Sequence, residues 1–218
     1  IGVVKEFMQD RTGEGGMSEP VREVVNQAIE TFAKLGATIK EISLPHAPLA
    51  LEAYYILCPS EVSSNLARYD GIRFGLDRTY FGAEAKRRMM IGTYSLSSGY
   101  YNAYYNTALK IRTQIIDDFK NAFKEVDIIF APTAPIIAPK IGEKVADPMA
   151  LYLIDVFTVP VNLAGVPAIS LPAGFAQKMP VGIQLLGPHF SEDRLFAISK
   201  VYEDETQFYK TLPKILED

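Results

Sequence analysis

The apolar positions change period along the chain, and each change marks an element. Ile1 to Val4 is a short unbroken apolar run of buried-strand type. A glycine-rich turn (Gly13, Gly15, Gly16) follows, and then Ser18, a good helix N-cap. Glu19 and Pro20 fall in the first turn, where unpaired N–H groups favour an acid and tolerate a missing donor. Val21, Val24, Val25, Ala28 and Phe32 recur at helical spacing, and Gly36 stands where a glycine cap closes a helix. The stretch ATIKEISLP then reads as a strand closed by Pro45. Strand, helix, strand predicts a parallel pair with a right-handed crossover.

Downstream, Leu49 to Arg68 reads as helix, with Pro59 expected to kink or divide it. SLSSGYYNAYYNTALKIRTQIIDDFKNAF is the longest helical pattern, and Val126 to Phe130 is a buried strand stopped by APTAP. Leu151 to Leu163 reads as helix, in which Pro160 fits poorly. AISLPAG and VGIQLLG read as two strands joined by a turn containing Gly and Pro. Ser191 is placed to cap a last amphipathic helix carrying Leu195, Ile198, Val201 and Tyr202. Alternating helices and strands predict an α/β class. No internal repeat or linker interrupts the pattern, so one domain over 1–218 is expected.

Composition narrows the function classes. With 48% hydrophobic and 22% charged residues the chain reads as an ordinary soluble protein. A net charge of -4 argues against a free-standing nucleic-acid binder, although Lys86-Arg87-Arg88 makes one dense basic patch. The single cysteine, Cys58, excludes internal disulfides and fits a reducing compartment. No apolar run reaches membrane-spanning length. The opening IGVVKEF has no initiator methionine and neither the charged start nor the long apolar core of a signal peptide. It reads as a strand entered in mid-protein, which predicts that the chain is part of something longer.

Candidate chemistry is sparse. His46 and His189 are far apart and Cys58 has no Cys or His at ligand spacing, so no zinc set is predicted; His46, after Pro45, reads as a loop residue. Ser95-Leu96-Ser97-Ser98-Gly99 lacks the flanking glycines of a nucleophile elbow, and Ser97 or Ser98 sits where a side-chain oxygen would cap the tyrosine-rich helix. Ser63-Ser64 reads as small polar positions inside a helix. On a helix Tyr94, Tyr101 and Tyr105 form one row and Tyr100 and Tyr104 another, about 100° apart. They suit either a helix wedged between the core and another surface, or a pocket wall or subunit contact. Asp155 is the only charge in ALYLIDVFTVPVNLAG, so burial there would oblige it to be paired. Arg88 precedes MMIGTY and offers a planar fork for a carboxylate, as an aspartate offers a partner for an ammonium. Together they suit an α-amino acid, although the residues by themselves favour a structural salt bridge.

The stretches YYILCPSEVSSNLARYDGIRFG, AKRRMMIGTYSLSSGYYNAYYNTALKIR, APTAP, LYLIDVFTVPVNLAGVPAISLPAG and PVGIQLLGPHFSEDRLFAIS cover nearly the whole chain. In that order they resemble the C-terminal part of the amidase signature family. SSNLARYDG and GTYSLSSGYYNAYY are similar to its glutaminase branch, the A subunits of the glutamyl-tRNA(Gln)/aspartyl-tRNA(Asn) amidotransferases, rather than to general amidases. The resemblance implies a mixed β-sheet with helices on both faces. It also implies glutamine hydrolysis, with ammonia passed through a tunnel to the B subunit, which uses ATP and Mg to activate the mischarged residue on tRNA. The B and C subunits are the implied partners, and tRNA is reached only through the complex. The setting is cytoplasmic, with an organelle as the alternative, and there is no membrane and no cofactor in this chain.

By the same resemblance Arg88 holds the α-carboxylate of glutamine, Asp155 its α-amino group, and Tyr54, with Tyr55 as its rival, belongs to the pocket. The family works with a Ser nucleophile, a second Ser in a cis peptide and a Lys base, in and around a Gly/Ser-rich signature. No such signature, and no Lys in that context, occurs in the 218 residues. No catalytic residue is therefore assigned, and the chain alone is expected to be inactive, because losing nucleophile and base removes the covalent route itself. The segment GLDRTYF (75–81) is shorter than the family's loop before Lys86-Arg87-Arg88. Two other readings are a truncated general amidase acting on small amides and a non-catalytic scaffold or binding chain.

Overall fold

A computed structural model describes residues 1–9, 16–140 and 153–212. The predicted turn glycines Gly13 and Gly15, and the first two residues of the helix expected from Leu151, lie outside the described residues. Contacts gather in two compact units, Ile1–Pro48 with Ile115–Asp218, and Leu49–Gln114.

The first unit is built on a mixed five-stranded sheet. Strand β1 (Gly2–Val4) is continued by a single helical turn, α1 (Lys5–Met8), and helix α2 (Glu19–Lys34) leads to β2 (Lys40–Ile42). β1 pairs in parallel with β2, as the strand–helix–strand pattern predicts, and on its other side with β3 (Ile129–Pro132). The sheet is completed by β4 (Ala168–Ala176) and β5 (Met179–Leu186), antiparallel to each other, with β5 antiparallel to β3; the order is β2-β1-β3-β5-β4. This is the α/β class and mixed sheet expected. All four residues of β3 and the last four of β5 are buried, so the centre of the sheet is covered and reads as apolar sequence broken only by Gln184. β4 is an edge strand, which accommodates Pro172, and a register shift between Pro172 and Gly174 lets the chain bulge.

Every apolar residue that marks α2 in the sequence is buried, and Phe32 stacks on Tyr202 with ring centroids 4.5 Å apart. Gly36, at φ +97°, closes α2 as predicted: its N–H donates to the Ala33 carbonyl and that of Ala37 to the Phe32 carbonyl. Ser18 takes the N-cap position with its backbone only. Its carbonyl accepts from Val21 and Arg22 while its N–H is drawn to the Pro135 carbonyl at 2.8 Å, and the hydroxyl makes no cap bond.

Three further expectations are corrected in this unit. The β4–β5 connection is a two-residue turn of Gln177 and Lys178, both at positive φ (51° and 67°), not a Gly/Pro turn. A long register of paired strands imposes that geometry on residues that do not favour it. The helix expected over 151–163 is a 3₁₀ turn (Leu153–Asp155) followed by the short helix α6 (Val159–Ala164). Pro160 lies in the first turn of α6, where a missing N–H costs nothing. The last helix, α7 (Glu192–Thr206), buries Leu195 and Tyr202 but leaves Val201 exposed, and Ser191 turns its hydroxyl back to the Pro188 carbonyl instead of capping.

The second unit is helical. α3 (Ala50–Leu66) passes through Pro59 without dividing, and α4 (Ala83–Ser95) packs along it. A π-helical turn (Tyr101–Tyr105) opens α5 (Asn106–Ala122), whose later residues belong to the first unit.

Candidate functional site

Gly92 sets the approach of α4 to α3. A Cβ there would overlap the Pro59 carbonyl and come within 2.8 Å of Ser63 Cβ, so no other residue lets the helices meet this closely. Ser63 and Thr93 hydroxyls join at 2.8 Å one residue further on. One turn earlier on α4 stands Arg88, and one turn earlier on α3 stand Tyr54, Tyr55 and Cys58.

The Arg88 guanidinium is held from several sides. Nη1 donates to the Tyr54 hydroxyl at 3.1 Å and lies 4.0 Å from Cys58 Sγ. Nε donates to Glu84 Oε1 at 3.0 Å, and Glu84 Oε2 accepts from Arg87 at 2.8 Å. The guanidinium carbon sits 5.9 Å from the Tyr54 ring centre and 5.6 Å from that of Tyr55, within cation–π range. Burial disfavours its charge, but the bonds to Tyr54 and Glu84 outweigh that and the pKa is raised. Burial, aided by Cys58, pushes the Tyr54 phenol up despite Arg88, so at neutral pH Tyr54 is a neutral phenol and the formal ion pair is with Glu84. The structure therefore brings Tyr54 to Arg88 by a hydrogen bond and its rival Tyr55 by ring contact. Glu84 was legible: an acid four residues before an arginine is a favourable helical pair, and three residues before Arg87 it is another.

Asp155 is placed differently. It ends the 3₁₀ turn of the first unit, and its backbone carbonyl accepts from the Thr158 N–H and hydroxyl, each at 3.1 Å. Its carboxylate is exposed and carries no hydrogen bond or ion pair among the described residues. The expectation of a buried, paired acid is corrected: Phe157, Val159, Val161 and Leu163 turn inward while the turn leaves Asp155 outside. Gln184, which the sequence does not advertise, supports this turn. Its side chain is buried at the centre of the sheet, and Nε2 donates to the carbonyls of Pro132 at 2.9 Å and Phe157 at 3.0 Å.

The serines and tyrosines also regroup. Ser97 Oγ donates back to the Tyr94 carbonyl, and it is the Ser97 carbonyl that receives the N–H groups of Tyr100 and Tyr101. The turn at 96–100 breaks the helical phase. The pairs expected four residues apart are kept, Tyr101 with Tyr105 (5.2 Å) and Tyr100 with Tyr104 (5.8 Å), but Tyr94 leaves the row of Tyr101 and packs on Tyr100 (4.2 Å) and Tyr104 (6.5 Å). The bond with Tyr100 pushes the Tyr94 phenol up to about 12. Tyr101 and Tyr105 line a cleft of about 380 Å³ with Ser60, Ser64, Asn65 and Leu96. His46 lies in a turn where Asp118 binds both its N–H (2.7 Å) and Nδ1 (3.0 Å). No group of three or more metal-ligating side chains gathers among the described residues.

Comparison with known proteins decides the family. Residues 1–196 match the sequence pattern of the amidases. The chain belongs to the amidase family. It is 46% identical over 99% of its length to the A subunit of the glutamyl-tRNA(Gln) amidotransferase of Lactiplantibacillus plantarum, covering 46% of that protein. It is 49% identical to the protein of the same name from Coxiella burnetii, again over 99% of its length and covering 47% of that protein. Among solved structures, the A subunit of the glutamyl-tRNA(Gln) amidotransferase of Thermotoga maritima superposes with a TM-score of 0.74 at 38% identity, over 95% of this chain and 42% of that one. The chain thus spans about half the length of the curated relatives it matches. No helix among the described residues is long and apolar enough to cross a membrane.

Proposed function

We propose that this chain is the glutamine-binding portion of an A subunit of the tRNA-dependent amidotransferase, acting in the conversion of Glu-tRNA(Gln), or Asp-tRNA(Asn), to the amide. Arg88 holds the α-carboxylate of glutamine, Asp155 its α-amino group, and Tyr54 completes the carboxylate end. The observation that carries the reading is the state of Arg88: a charged guanidinium braced by Glu84 and Tyr54 and backed by two aromatic rings. Such bracing suits recognition of a planar anion. Similarity over 99% of the chain to relatives named for that activity supports it.

The remaining parts belong to the same proposal. Residues 1–218 form part of one domain, the chain works in the cytoplasm with the B and C subunits, and ATP and Mg act on the partner that receives the ammonia. No residue of this chain is assigned as nucleophile or base, so the 218-residue chain alone hydrolyses no glutamine; turnover by the purified chain would sink that part. For the pocket, Arg88→Ala and Asp155→Asn are placed in the protein as encoded in its gene. Each is expected to cut glutamine turnover by roughly 100-fold, the scale of losing one charged partner, while sparing uncharged apolar amides. Equal loss on both substrates would point to a general amidase whose fold had been damaged.

A further inference from the structure

Two of the three nitrogens of Arg88 are engaged before any ligand arrives. Nε is bound to Glu84 and Nη1 to Tyr54, while Nη2 makes no hydrogen bond or ion pair among the described residues. The Nε edge is closed, Nη1 is shared between the Tyr54 hydroxyl and a long 4.0 Å contact to Cys58 Sγ, and Nη2 is left open. The Nη1–Nη2 end can therefore meet the two oxygens of a carboxylate once the weak thiol contact yields. The Glu84 carboxylate is fixed in turn by Arg87 through its other oxygen and by its place in the first turn of α4, where acids are favoured.

We propose that Glu84 is a positioning residue for carboxylate recognition: by occupying Nε it fixes the guanidinium so that the Nη1–Nη2 end is presented to the ligand. The inference rests on the assignment of Arg88 to an α-carboxylate. A count of charges predicts the opposite sign, because removing an acid beside Arg88 makes the site more attractive to an anion. Glu84 is half exposed, however, and water screens its charge at ligand distance, whereas its bond to Nε is local and restrains a side chain with many rotatable bonds. Orientation therefore outweighs repulsion.

The test measures steady-state hydrolysis by the full-length protein in its complex. The substrates are glutamine and 4-aminobutanamide, which is glutamine with hydrogen in place of the α-carboxylate. Glu84→Ala is expected to raise KM for glutamine roughly tenfold with kcat little changed, and to leave KM for 4-aminobutanamide where it was. Glu84→Gln removes the charge but keeps an oxygen that can accept from Nε, and is expected to bring KM back to within about threefold of the parent. Several results would overturn the inference: a KM for glutamine that falls or stays put in Glu84→Ala, equal effects on the two substrates, or Glu84→Gln no better than Glu84→Ala. Arg88→Ala separates the two levels. If it weakens glutamine and Glu84→Ala does not, positioning alone falls; if it leaves glutamine unaffected, the pocket assignment falls and positioning with it.

Discussion

Arg88 and Asp155 were paired in expectation by their chemistry, yet the protein holds them in different ways. Arg88 is fixed through its side chain: a carboxylate, a phenol and two rings surround a guanidinium that is only a quarter exposed. Asp155 is fixed through its backbone, by a turn whose geometry is set from below by Thr158 and Gln184, and its carboxylate stands in solvent. The difference has a physical origin. A long flexible cation must be restrained along its length to present one edge, whereas a short aspartate is aimed as soon as its Cα is placed. A braced arginine is recognisable from its neighbours. An exposed acid is recognisable only from the turn that carries it.

The strongest way to break the Arg88 side is Gly92→Ala. The added methyl meets backbone and not a flexible side chain, so α3 and α4 must separate and take Arg88 away from Tyr54 and Tyr55. The expected cost is about 3 kcal/mol, the upper range for overpacking, read as a lowered midpoint in denaturant unfolding. A loss under about 0.5 kcal/mol would show that the approach of the two helices is not what holds the arginine. On the Asp155 side the matching change is Gln184→Leu. It keeps the volume but leaves the Pro132 and Phe157 carbonyls without their donor, which costs about 2 kcal/mol. Amide exchange at residues 156–158 should speed up beyond the global change, and equal acceleration everywhere would deny Gln184 a local role.

How much of this could be read beforehand follows the same division. Period and capping chemistry carried β1, α2 and β2, including the Gly36 cap, because those signals are local. Pro59 misled only in degree, since packing holds α3 together across the lost bond. The tyrosine rows held within 100–105 and failed at Tyr94, because phase was extrapolated from α4 through a turn. Asp155 failed because an apolar neighbourhood in sequence is not a buried position in space; Phe157 and Val159 point inward from the same few residues. Gln184 left no mark at all. One buried polar residue in a strand acquires its meaning from a carbonyl 27 positions away.

A smaller effect sharpens the Arg88 side. Tyr54→Phe removes one hydrogen bond and keeps both ring contacts, so about 1 kcal/mol is expected in unfolding. The pH dependence has a definite sign. The folded phenol lies above its ordinary value of 10.0, so its contribution is complete below pH 10 and drains away as pH rises through the raised value. The parent and Tyr54→Phe curves should therefore be separated at neutral pH and converge in alkali. A gap that widened with pH would mean that Arg88 stabilises the phenolate more than burial disfavours it.

Asp155→Asn should change stability least. Its carboxylate has no bond to lose among the described residues, and the contacts of the turn come from its main-chain carbonyl, which asparagine retains. Asparagine is also nearly the same shape. Unfolding midpoints of parent and variant should then agree within about 0.5 kcal/mol, the range of surface changes that touch nothing. The value of this small number lies in what it is set against. A change that keeps the shape, leaves stability alone and yet costs glutamine turnover would place the acid on the ligand directly, not in the fold. A destabilisation of about 2 kcal/mol, by contrast, would mean that Asp155 is paired after all, and the salt-bridge reading of this aspartate would return.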